Sequence, residues 1–403
     1  MGLLFKDDLH DEFGRWPLAY IPYGGADFGE VAAVAQAVGE GDDGAFYDAW
    51  TAAAERLKAE AEEAQARDHR ASARALFLRA ACFHAASFHP LYGAPVDPRV
   101  VAAHRNLVNA FNRGLALGEP AIAPLRIPYE ATSMPAYFIP AAGEADAVRP
   151  LVIFTNGYDG AITDLYFASA VAASDRGYHS LIFDGPGQGE MLIEQSLPLR
   201  ADWETVIGAV VDFALTLPGV DPGRIALSGW SLGGYLALRA ATGEHRLAAC
   251  IADPGLFGLA SGFQAYAARL GVPPAEARKL GGMAPSYLDG MWKAVEGNRK
   301  LRWTVVQRGF WANGATDLRG FLDRIEGFTL EGRLGLIRCP TLLTAAENDA
   351  LGAGAEKIFA DLACEKAFIR FSAAEGAGDH CEMMNRSLLN RRAFDWLDEM
   401  LRR

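Results

Sequence analysis

At 403 residues the chain exceeds the usual size of one compact core, so a main core plus a substantial accessory region is expected. Hydrophobic residues make up 51% and charged residues 22%, the balance of a globular chain able to bury a large interior. The formal net charge of −12, from 38 Lys+Arg against 50 Asp+Glu, argues against nucleic acid or an anionic membrane as a partner, because both select basic surfaces.

The first residues, Met1 to Asp8, turn acidic at once and carry no long apolar run, so no secretory signal is expected there. No uninterrupted apolar stretch approaches the roughly 18 residues that a membrane span needs. Cys82, Cys250, Cys339, Cys364 and Cys381 are scattered and odd in number, without C-x-x-C spacing. A reduced, cytoplasmic setting is the plain expectation.

Residues 1–120 read as an N-terminal helical cap domain. Phe46, Trp50 and Ala53, then Ala75, Leu76, Leu78, Cys82 and Phe83, fall at helical spacing. Residues 52–70 are rich in Ala, Glu and Lys/Arg, as a solvated helix would be. The aromatic cluster that follows, with His84, Phe88 and Tyr92, is a candidate substrate wall, although such residues also serve as plain core.

Beyond residue 120 the period changes. Residues 125–129 and 136–139 suggest a short antiparallel pair. Apolar runs at 151–155, 180–183, 225–228, 248–252, 341–344 and 367–371 alternate with helical segments and Gly-rich turns. That alternation implies right-handed crossovers and a mostly parallel sheet covered on both faces. Core is expected over 121–255 and 335–403, with a helical, aromatic-rich insertion at 256–334 lying over the sheet's carboxyl edge.

Within this frame, Gly229-Trp230-Ser231-Leu232-Gly233 sits between the strand run from Ile225 and the helical run from Tyr235. A serine raised above a strand end needs a strained backbone, and glycines two before and two after it relieve the crowding. Ser231 is therefore the candidate nucleophile. In such a setting the acid and then the histidine follow the serine along the chain. Only His245 and His380 follow Ser231. His245 belongs to the far end of the helix that Ser231 begins, which leaves His380, in a Gly-rich loop after the last strand, as the base. Asp349, after the strand run from Thr341, is the candidate acid, with Glu347 as the alternative. Asp379 reads as a loop cap beside His380.

An oxyanion site would use the N–H of Leu232 and one from the loop Asn156-Gly157-Tyr158-Asp159-Gly160, where Gly157 allows close approach and makes Tyr158 the second donor. Asp159 then lies within reach as an added carboxylate; a turn-former before Gly160 is the alternative. Asp184-Gly185-Pro186-Gly187-Gln188-Gly189-Glu190 misses the dinucleotide spacing, and Pro186 removes an N–H that phosphate would need, so it reads as a structural turn.

These motifs, together with Glu347-Asn348-Asp349 and Gly378-Asp379-His380-Cys381, resemble one branch of the α/β-hydrolases. That branch includes 2,6-dihydroxypseudooxynicotine hydrolase, the fungal pigment polyketide-shortening hydrolases and the fermentation/respiration-switch protein. The resemblance spans roughly residues 70–400. It implies an α/β-hydrolase fold, an N-terminal helical domain forming one wall of the active site, no metal or organic cofactor, and frequently a homodimer. Several members cleave a carbon–carbon bond beside a ketone, and an acidic residue in one of them stands where Asp159 does here.

The expected activity is a serine hydrolase working through an acyl-enzyme. Its substrate would be a ketone-activated C–C bond or an ester of an aromatic or polyketide-like small molecule, with Trp230, His84, Phe88 and Tyr92 as substrate-binding candidates. A carboxylesterase or acyl-peptide hydrolase, acyl transfer on the same residues, or a non-catalytic regulatory protein are the alternatives.

Overall fold

The apolar runs beyond residue 120 become the strands of one eight-stranded sheet in the computed structural model, which describes residues 2–402. The strands are β1 (Pro124–Tyr129), β2 (Thr132–Ile139), β3 (Arg149–Thr155), β4 (His179–Phe183), β5 (Val220–Trp230), β6 (Ala249–Asp253), β7 (Thr341–Ala346) and β8 (Lys366–Phe371). Their spatial order is β1-β2-β4-β3-β5-β6-β7-β8. β1, β2 and β4 pair antiparallel, and every pair from β4 to β8 is parallel.

Burial explains why the parallel strands read as nearly continuous apolar runs. Every residue of β4, β6 and β7 is buried, because helices cover both faces. Along β3, Leu151 and Ile153 join a core with Trp203, Val206 and Val210 of the helix Trp203–Ala214. Val152 and Phe154 point the other way, to a core shared with Phe167, Phe394 and the N-terminal helices. β5 starts at Val220, ahead of the apolar run itself, because Val220 pairs with Arg149 before the register shifts and Ile225 pairs with Leu151.

The chain leaves β3 toward β4 and then crosses back to β5, so the strand order reverses at β3. A crevice opens at the carboxyl ends of strands flanking such a reversal. The loops after β3 and β5 stand side by side there.

The N-terminal region is helical: Asp8–Gly14, Phe28–Val38, Asp43–Ala66, Arg70–Ser87 and Pro98–Ala116. Asp42 and Asp97 cap two of these helices, accepting from Ala45 N at 3.0 Å and Arg99 N at 2.8 Å, with Pro98 at the first turn of the second. Between β6 and β7, helices including Ser261–Arg269, Pro285–Gly297 and Leu318–Glu326 pack around their own core of Met291, Val305, Phe310 and Phe321. A π-wound stretch, Trp303–Phe310, joins this insertion to the N-terminal helices.

That seam is aromatic and ionic. Phe13 stacks on His89 at 4.4 Å and meets Trp303 at 5.0 Å, while Arg299 pairs with Asp7 at 2.5 Å and with Asp43. All five cysteines are free, and all but the half-buried Cys364 are buried. Among the described residues no helix is long and apolar enough to cross a membrane.

Candidate active site

β5 runs into the helix Leu232–Ala241 with a single residue, Ser231, at the corner. Ser231 has φ 60° and ψ −123°, a conformation that costs a non-glycine residue of order 1–3 kcal/mol. The surroundings hold it there. A side chain at Gly229 would collide with the Gly233 carbonyl, and one at Gly233 would reach within 2.6 Å of Thr155 O. Ser231 N–H also donates to Asp253 O at 2.6 Å.

His380 Nε2 lies 2.9 Å from Ser231 Oγ, and His380 Nδ1 lies 2.8 Å from Asp349 Oδ2. The other Asp349 oxygen accepts from Leu351 N at 2.9 Å, so both oxygens are fixed. Asn348 N–H donates to Gly378 O at 2.8 Å and ties the turn after β7 to the His380 loop. Burial pulls the His380 imidazole down in pKa, but the Asp349 carboxylate, with Asp253 and Glu12, outweighs it and the net shift is upward.

A buried bracket stands behind this line. Asp253 accepts from Arg386 Nη1 at 2.8 Å and from Thr344 Oγ1 at 2.8 Å, and Arg386 Nη1 also donates to Cys381 O at 2.8 Å. Cys381 and Glu382 both adopt positive φ, 55° and 49°, in the tight turn after His380. Burial and the neighbouring Asp253 push the Glu382 carboxyl well above the usual range beside that ion pair. Asp253 thus holds the serine through its backbone and the histidine loop through Arg386.

The loop after β3 closes against the serine. A Cβ on Gly157 would lie 2.8 Å from Ser231 Cβ and 3.0 Å from Leu232 N. Asn156 Oδ1 takes the Gly157 N–H at 2.9 Å. The N–H groups of Tyr158 and Leu232 make no hydrogen bond among the described residues. Leu232 is the first helical residue, where N–H groups have no intrahelical acceptor.

Asp159 Oδ2 pairs with Arg308 Nη1 at 2.8 Å, and its backbone carbonyl accepts from His89 Nε2 at 3.0 Å and Tyr92 OH at 3.1 Å. Burial raises the Asp159 carboxyl, and Arg308 works against that shift without cancelling it. Arg308 lies over the Tyr158 ring at 4.5 Å and near the Trp303 ring at 5.3 Å.

These groups line one cavity of about 660 Å³, together with Trp230, Glu12, Lys300 and Asp379. Of the aromatic candidates, Trp230 reaches it and three do not. His84 is fully buried, 3.4 Å from Glu55, and its ring is held neutral by burial. Phe88 is packed beside His89 and Tyr92, and Tyr92 reaches the site only by holding the Asp159 carbonyl from behind. Phe88 and Tyr92 instead border a separate small cavity behind Tyr158, Gly160 and Arg308. His245 is exposed beyond the helix end, and Glu347 accepts from Ala373 N at 2.7 Å. Asp379 Oδ1 receives Met384 N at 3.4 Å and also borders the cavity.

Sequence reasoning missed Arg308 and Glu12. The signal for Arg308 was a lone charge inside the aromatic run from Trp303 to Trp311, where a buried cation requires a partner. Among the described residues no group of three or more His, Cys, Asp or Glu side chains is placed to hold a metal ion.

Comparison with known proteins agrees with the fold. Residues 152–389 match the alpha/beta hydrolase family. The 20-hydroxy-prefusarin hydrolase FUS2 of Gibberella moniliformis is 33% identical, across 99% of this chain and 98% of its own. Hydrolase LUC6 of a Fusarium species is 32% identical, across 95% and 94%. The solved structure of 2,6-dihydroxy-pseudo-oxynicotine hydrolase shares the fold with a TM-score of 0.72 over 95% of both chains, at 22% identity. The resemblance read from the motifs holds in these relatives, and the chain belongs to the α/β-hydrolase family and is a hydrolase.

Proposed function

We propose that the protein is a serine hydrolase whose nucleophile is Ser231, with His380 as base and Asp349 as the acid that orients it. The observation that carries this reading is the continuous line from Asp349 to His380 at 2.8 Å and on to Ser231 at 2.9 Å, opening into a cavity large enough for a small molecule. His380 takes the Ser231 proton as Oγ attacks a carbonyl carbon, and the Leu232 and Tyr158 N–H groups receive the oxyanion. Collapse of the tetrahedral species releases the leaving group, protonated in the process, and leaves an acyl-serine. Water, activated by His380, then frees the acid.

The substrate class is a polyketide-like or aromatic small molecule with a ketone-activated C–C bond or an ester. A relative named for 20-hydroxy-prefusarin hydrolysis supports a small-molecule substrate. Asp159 supports the C–C reading. Its carboxyl lines the same cavity as Ser231, and burial shifts it upward against the Arg308 partner, so it is placed to pass a proton to a departing carbanion. An alkoxide leaving group needs no such added donor.

Two measurements test this. Ser231→Ala should abolish covalent labelling by a fluorophosphonate; labelling that persists at another residue removes Ser231 from the mechanism. Asp159→Asn should lower turnover of a β-diketone by about a hundredfold relative to turnover of a nitrophenyl ester, the usual scale of general acid help. Equal losses on both substrates would remove the proton-donor role.

A further inference from the structure

The run Asp184-Gly185-Pro186-Gly187-Gln188-Gly189-Glu190 is built more tightly than a connecting turn requires. Asp184 Oδ2 accepts from Glu190 N at 3.2 Å, and Gln188 Oε1 accepts from Gly185 N at 3.0 Å. Gly187 has φ 80°, and a side chain there would lie 2.6 Å from the Leu199 backbone. The loop thereby fixes one side chain, Gln188, which is only 1% exposed.

Gln188 Nε2 donates to Asn156 O at 2.7 Å and to Gly157 O at 3.1 Å. Both carbonyls belong to the loop that faces Ser231. The Gly157 carbonyl shares its peptide plane with the Tyr158 N–H, and in a trans peptide the two point in opposite directions. Holding that carbonyl from behind turns the Tyr158 N–H toward the side lined by Ser231. The Asn156 side chain holds only the preceding plane, through the Gly157 N–H, and Gly157 has no side chain of its own to anchor the next one.

We propose that Gln188 is a positioning residue for the oxyanion site: its carboxamide sets the Gly157–Tyr158 peptide plane so that the Tyr158 N–H meets the developing negative charge. The role rests on the reading of Ser231 as nucleophile and Tyr158 as donor. Gln188 touches no substrate atom and acts through the backbone it holds. The donor matters in the transition state more than in the bound ground state, so disturbing it should change kcat and spare KM.

The test uses the full chain, p-nitrophenyl butyrate as substrate, and an aryl trifluoromethyl ketone whose serine adduct carries its oxygen in the oxyanion site. Gln188→Met keeps the length and loses the donor. Its kcat should fall about 10–100-fold, less than outright loss of an oxyanion donor, with KM within about threefold. Affinity for the ketone should weaken in step with kcat/KM. Gln188→Glu gives an independent readout. Two facing carbonyls and burial favour its protonated form, which retains one O–H donor; ionisation removes it. Its rate relative to the unaltered chain should therefore fall as pH rises, whereas the ratio for Gln188→Met stays flat.

A Gln188→Met chain with unaltered kcat and ketone affinity overturns the proposal. So does a pH-independent ratio near one for Gln188→Glu, which decides the matter if the Met variant does not fold. Hydrolysis by Ser231→Ala at the unaltered rate would instead sink the nucleophile reading itself, and the two failures are told apart by which variant stays active.

Discussion

His380 is where charge and geometry meet most closely. As the proposed base it must be neutral to accept the Ser231 proton, and Asp349 holds its pKa above the ordinary imidazole value against the pull of burial. The rate should therefore rise as pH climbs through that raised value. Replacing Asp349 by Asn removes the main upward influence, so the rising limb should move to lower pH. The same change leaves the ring free to adopt the wrong tautomer, and kcat should fall about ten-thousandfold. A pH–rate profile of Asp349→Asn reads both effects; an unmoved limb would mean that the acid sits elsewhere. Glu347, the alternative acid, accepts from Ala373 N, whereas Asp349 is the carboxylate hydrogen-bonded to His380.

At the level of elements, the site is a junction of loops whose backbones touch. The loop after β3 approaches the corner after β5 so closely that a methyl group on Gly157 would lie 2.8 Å from both Ser231 Cβ and Trp230 O. Gly157→Ala must push one loop away from the other. A displacement near 1 Å between reacting groups costs about a hundredfold in rate. The expected outcome is a fall in kcat of that order with the chain still folded, checked by steady-state kinetics beside circular dichroism. Unaltered kcat would show that the loop after β3 takes no part. The parallel strands that carry these loops were plain in the sequence because burial on both faces demands apolar runs, and the glycine pair around Ser231 marked the corner because only glycine clears it. Arg308 was not, since it lies on a π-wound stretch whose turns do not follow ordinary helical spacing. His84 and Phe88 show the matching limit. Periodicity tells that a side chain points inward, not whether it meets a cavity or another side chain.

The whole molecule joins at the seam where Phe13, His89 and Trp303 pack. Phe13 is 1% exposed and bridges the N-terminal helix to the insertion. Phe13→Ala should cost about 3–5 kcal/mol of stability, as loss of a buried phenyl ring does, and a urea denaturation midpoint would measure it. A negligible change would mean that the seam is loosely packed. The tether here spans much of the chain: Asp7 and Arg299 are separated by 292 positions. Closing so long a loop is entropically late, and contacts of such separation slow folding. The N-terminal helix pairs and the first parallel strands rest on nearer partners and need not wait for it. The wall containing Glu12 and Lys300 cannot close until residue 300 has been made, so a chain emerging from the ribosome would hold the corner at Ser231 before it had an enclosed chamber beside it.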